Sequence, residues 1–86
     1  MNNVVFSDHA RKEMLRRNIT QLQIEEVLQS PEQIISVNEE RNIYQSRFEL
    51  NQKQYLLRVV GDIRGDLLTV VTIYKTSKVK KYWSEQ

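Results

Sequence analysis

Pro31, the only proline among 86 residues, separates two different hydrophobic periods. Before it, apolar side chains recur at three- and four-residue spacing; after it, they alternate. A chain that switches once from the helical to the strand period is confined to the α+β class, with its helices segregated from its sheet. The length allows one domain, residues 1–86, with a modest core.

The helical half carries its own start and stop signals. Ser7 is expected to cap a first helix, with Asp8 at the positive end of the dipole. Asp8 to Arg17 contains no Gly, Pro or β-branched residue. Ala10, Met14 and Leu15 are read as its core side, and His9, Glu13 and Arg16 as another. Arg17 falls beside Ala10 and Met14, where a guanidinium needs a carboxylate, a carbonyl or a phosphate. Thr20 and Gln23 form a capping box for a second helix, with Ile19 and Ile24 stapled across its start. Ile24, Val27 and Leu28 form its apolar stripe. The short link around Asn18 implies a tight helix hairpin.

Beyond Pro31 the alternation predicts four consecutive antiparallel strands: a short one at Ile34–Val37, then Ile43–Leu50, Tyr55–Val60 and Leu67–Tyr74. Both glycines lie in the connection 61–66, read as a loop. The last two strands are the most apolar and belong in the middle of the sheet. The expected architecture is thus an N-terminal helix hairpin on one face of a four-stranded antiparallel sheet, followed by a short basic C-terminal tail or helix. Arg58, Thr72 and Tyr74 share the other face if the register places Arg58 near Val70. Arg58 is equally well read as a cross-strand pairing residue, and Tyr74 as a core aromatic.

Charge is distributed unevenly. Residues 1–74 hold nine Lys and Arg against ten Asp and Glu, whereas residues 75–86 hold four Lys and one Glu. Lys75, Lys78, Lys80 and Lys81, interleaved with Tyr82 and Trp83, suit phosphates and unpaired bases, or else form a solubilising tail. The absence of cysteine removes disulfides and thiolate metal sites. A lone histidine without a carboxylate cluster makes no catalytic metal centre, and no metal or cofactor is expected. No Gly-rich phosphate loop and no serine elbow is present. No signal peptide or long apolar run appears, so a cytoplasmic location and no membrane contact are expected.

The chemistry these residues serve best is RNA cleavage without a metal. The 2′-hydroxyl of the substrate attacks the adjacent phosphorus, while side chains move protons and neutralise charge. His9 is then either a titrating group beside arginines or a surface residue paired with Glu13.

Residues Ser7 to Ile19, with the pattern His-Ala-x-x-x-Met-x-x-Arg, resemble the opening of a widespread family of small uncharacterised bacterial proteins. Ser30-Pro31-Glu32, Arg58-Val59-Val60 and Val71-Thr72-Ile73-Tyr74 extend the resemblance over most of the chain. Members look like compact relatives of the RelE and BrnT toxins. The resemblance implies a RelE-like fold and the toxin of a type II toxin–antitoxin pair, acting as a metal-independent endoribonuclease. It implies RNA and a small cognate antitoxin as partners, with a homodimer left open. His9 would transfer protons, Arg17 and Arg58 would bind the scissile phosphate, and Tyr74 would orient the RNA. Arg16, Lys75, Lys78, Lys80, Lys81 and Tyr82 would supply basic and stacking contacts. Two positions depart from the pattern: Glu13 replaces a common arginine, and Asn18 a usual glycine. The alternative is a non-catalytic RNA-binding or protein-interaction module on the same scaffold.

Overall fold

The computed structural model describes residues 3–85. The elements run β1 (Asn3–Phe6), α1 (Asp8–Arg17), α2 (Gln21–Gln29), β2 (Gln33–Ser36), β3 (Arg41–Leu50), β4 (Lys53–Arg64), β5 (Leu67–Thr76) and α3 (Val79–Tyr82). The strands form one mixed sheet in the order β1-β5-β4-β3-β2. β1 lies parallel to β5, and every other neighbouring pair is antiparallel. Among the described residues, no helix is long and apolar enough to cross a membrane.

The local signals set the helix ends. The Ser7 hydroxyl accepts from the Ala10 amide at 3.0 Å and donates to the Val71 carbonyl at 3.0 Å, so one side chain caps α1 and ties it to β5. Asn18 closes α1 in the left-handed region at φ 55°. The Asn18 and Ile19 amides donate back to Leu15 and Met14, the Schellman pattern. Thr20 and Gln23 exchange both bonds of the capping box at 2.9 and 3.1 Å.

The expected hairpin on four antiparallel strands is overturned. A fifth strand, β1, precedes the helices. It escapes sequence reading because its partner β5 is more than sixty residues away, so no turn signal beside it marks a strand pair. The helices pack chiefly on the sheet: α1 on β5, α2 on β3 and β4, and α3 against β4 on the opposite face of the sheet. α1 and α2 thus cover apolar strips on one face, and α3 lies on the other. Leu15 does not face the core and is 86% exposed. At 3.6 residues per turn it projects about 140° away from Ala10, and the sheet-facing stripe of α1 is only Ala10 and Met14 wide. Nor is 61–66 a loop: β4 runs to Arg64, leaving Gly65-Asp66 as the turn.

The pleat sorts β4 into two faces. Leu57 and Val59 join Tyr44, Leu68, Val70 and Ile73 under Ala10, Ile19, Ile24 and Val27. Leu56, Arg58 and Val60 point the other way, as expected for Arg58, although the partner across from it is Tyr74 and not Val70. The pairing also contains a one-residue bulge. Val60 pairs with Thr72 but Gly61 pairs with Val70, so Val71 is the extra residue. The bulge lets both Val70 and Ile73 face the helices. A Cβ on Gly61 would stand 2.7 Å from Leu68 Cδ1, so this glycine permits a close approach.

Candidate functional site

The strand registers place Gln33, Gln45, Arg58 and Tyr74 directly opposite one another on β2, β3, β4 and β5. They make one polar row across the sheet, on the face away from α1 and α2. A donor-to-acceptor chain runs along it. Arg58 donates to the Tyr74 hydroxyl, and its Nε donates to Gln45 Oε1 at 2.8 Å. Gln45 Nε2 donates to Gln33 Oε1 at 2.8 Å, and Gln33 Nε2 to the Ser84 carbonyl at 2.6 Å. Linked bonds in a low-dielectric setting polarise one another and fix each amide's orientation.

Arg58 is only 7% exposed. The ion pairs of the described residues involve Glu13, Glu32, Glu40 and Asp62 with other arginines, and none includes Arg58. A buried guanidinium without a counter-ion is costly unless dipoles and ring faces replace water. Here the Tyr74 and Tyr82 rings lie 5.3 and 4.6 Å from its central carbon, and the two rings meet edge to face.

The segment bearing Tyr82 roofs this row. Val79–Tyr82 forms a single helical turn whose N-cap has no side-chain bond. Gln45 Nε2 donates to the Tyr82 carbonyl at 3.1 Å, and the Ser84 amide donates to Gln33 Oε1 at 3.0 Å. Trp83 lies over the Arg47 guanidinium at 4.1 Å. Glu32 holds Arg47 through two side-chain bonds, and that arginine keeps the Glu32 carboxyl below its ordinary range. Lys78, Lys80 and Lys81 are exposed, with Lys81 Nζ 5.2 Å from the Tyr82 ring. An open groove of about 650 Å³ runs beside the roof, lined by Glu32, Gln33, Ile34, Trp83, Ser84 and Glu85. Its two carboxylates disfavour an anion there.

The residues singled out in the sequence therefore divide between two sides. Arg58, Tyr74, Tyr82 and the lysines of 78–81 come together. His9, Arg16 and Arg17 do not join them, because α1 packs on the opposite face of the sheet. His9 is exposed on the first turn of α1. Glu13 takes Arg16 at 2.7 and 2.8 Å and Arg17 at 3.1 Å. The Arg16 bonds first, then that from Arg17, hold the Glu13 carboxyl down to about 2. Arg17 thus finds the carboxylate its position demanded. Lys75 lies opposite Leu57 and borders a groove with Ile19, Gln23 and Phe48, again on the helix side. The convergence of an imidazole with Arg58 that the cleavage chemistry relied on is absent.

Gln33, Gln45 and Arg47 escaped sequence reading as site residues. Outward-pointing polar residues in alternating strands read as solvated, and only the register with Arg58 reveals the row. A glutamine and an arginine at facing positions of neighbouring strands was the one available signal. Among the described residues, no group of three His, Asp or Glu stands close enough to hold a metal ion.

No curated protein and no solved structure matches the chain. The family model described as "Domain of unknown function (DUF4258)" matches residues 6–75, from the end of β1 to the end of β5 and across the whole polar row, and the chain belongs to that family.

Proposed function

We propose that the chain binds single-stranded RNA through the face of β4 and β5 that α3 overlies. The observation that carries this reading is Arg58: a buried guanidinium with no carboxylate partner among the described residues, flanked by two tyrosine rings beneath a turn bearing three exposed lysines. Guanidinium and ammonium groups meet phosphates, and tyrosines stack on unpaired bases. Binding of this kind needs no imidazole, so the placement of His9 does not weaken it.

A second reading, cleavage by a toxin of a toxin–antitoxin pair, is favoured by the Tyr74 hydroxyl seated on Arg58. In its phenolate form Tyr74 can take the proton of an attacking 2′-hydroxyl, while the Arg58 guanidinium neutralises the phosphorane. The P–O5′ bond then breaks and the 5′-oxygen leaves with the proton Tyr74 had taken, giving a 2′,3′-cyclic phosphate and a 5′-hydroxyl and restoring the phenolate. In this reading a small cognate antitoxin covers the same face.

The test is incubation of the purified chain with labelled single-stranded RNA in EDTA over a range of salt. Retention that falls steeply as salt rises, and drops about tenfold or more in Arg58→Gln, is expected. Fragments ending in cyclic phosphate, lost in Tyr74→Phe, transfer the conclusion to the cleaving toxin. Intact RNA without retention overturns both readings and leaves a protein-interaction module.

A further inference from the structure

The RNA reading meets one geometric obstacle. Arg58 is almost fully enclosed, and the Tyr82 ring of the turn Val79–Tyr82 closes over it at 4.6 Å. We propose that the segment Val79–Ser84 is an internal occupant of the RNA cradle, latched by Gln33, and that a bound single strand displaces it. This proposal rests on the RNA-binding reading and adds the regulation of that site.

The contacts of the segment are of the kind a nucleotide makes. An aromatic ring lies over the Arg58 guanidinium, where a base would stack. A second aromatic ring lies over the Arg47 guanidinium. A backbone carbonyl accepts from the buried Gln45 amide, where a base edge or phosphate oxygen would accept. The hydrogen bonds that hold the segment to the cradle are three, and each has a side-chain partner: Gln45 to the Tyr82 carbonyl, and Gln33 to both the amide and the carbonyl of Ser84. None is a strand-ladder bond, so each can be exchanged for a ligand atom without breaking the sheet.

The segment also has little stability of its own. One helical turn lies far below the length at which a helix persists in water. Its helical bonds are Lys81 N–H to the Lys78 carbonyl at 3.2 Å and Trp83 N–H to the Val79 carbonyl at 2.8 Å. Lys78, Lys80 and Lys81 are exposed on this turn, so an approaching polyanion engages the lysines first and the cradle second. Closed and open forms then share one equilibrium. Apparent affinity equals intrinsic affinity reduced by the open fraction.

Gln33 bonds to Ser84 and Gln45 but not directly to Arg58, Tyr74 or a lysine, so it is the point at which that equilibrium can be shifted most directly. Trp83, the only tryptophan in the chain, reports on the segment. The experiment compares the wild type with Gln33→Ala, using a labelled eight-nucleotide single-stranded RNA in EDTA, with acrylamide quenching of Trp83 followed alongside. Gln33→Ala is expected to bind RNA about three- to tenfold more tightly, and its Trp83 to be more readily quenched before RNA is added. In the wild type, RNA should bring quenching toward the level of the variant. Equal or weaker binding by a folded Gln33→Ala, with the wild type still retaining RNA, overturns the latch alone. Failure of both proteins to retain RNA overturns the RNA reading and the latch with it.

Discussion

On the sheet face beneath α1 and α2, Leu57, Val59, Leu68, Val70 and Ile73 meet helical Ala10, Ile24 and Val27 with no polar group between them. On the other face, one residue along on β4, the row Gln33-Gln45-Arg58-Tyr74, with Gln45 and Arg58 buried, lies under a single turn and is held by hydrogen bonds and ring faces. The apolar face gains stability from area removed from water and tolerates little change in volume. The polar face gains little net stability, since each bond replaces one to water, and its cost is concentrated in any partner left unmatched. The first kind of face holds a fold together. The second kind holds particular atoms in particular places, which recognition requires.

This contrast can be broken or sharpened by substitution. The largest effect is expected from Ile73→Ala, which empties a fully buried site on the apolar face. It should cost about 2–5 kcal/mol, read as a lowered midpoint in urea, and leave RNA retention proportional to the folded fraction. Gln45→Leu keeps most of the volume but removes the acceptor for Arg58 Nε and the donor to Tyr82. A loss of about 1–3 kcal/mol is expected, together with altered RNA retention at full folding. If Gln45→Leu proves as costly as Ile73→Ala, the two faces are not energetically distinct.

Smaller effects are expected on the outer side of α1. Leu15→Ser removes an exposed side chain that supports nothing and should change stability by less than about 0.5 kcal/mol. The same helix offers a pH test. With its carboxyl lowered to about 2 by Arg16 and Arg17, Glu13 binds its proton less readily folded than unfolded. Its contribution is therefore complete above the ordinary value of 4.5 and is lost as pH falls through about 2. A carbon-detected titration should place the Glu13 midpoint near 2; a midpoint near 4.5 would mean that the arginines of α1 are not engaged and remain free to bind anions.

Much of the local structure was legible in the residues. Ser7, Asn18, Thr20 and Gln23 marked the helix ends by hydrogen-bonding chemistry that acts over three or four positions. The apolar patterning located β2 to β5, whereas the shared face of Arg58 and Tyr74 was conditional on a register near Val70 that the structure replaces with Arg58 opposite Tyr74. Leu15 was misassigned because a wheel shows which residues share a side but not how wide a strip the sheet offers. The convergence of His9 with Arg58 failed for a related reason: both carry the right chemistry, yet nothing local says that α1 covers the opposite face.

The sequence by itself determined the caps of the first two helices and the approximate positions of four strands, because these follow from interactions between residues a few positions apart. Only the tertiary structure decided that β1 joins β5, that a bulge at Val71 turns Val70 and Ile73 the same way, and that a row of four polar side chains meets under α3. Those outcomes depend on the register and packing of segments up to more than sixty residues apart. Their contact free energies are small individually and come into play only when the whole sheet has formed.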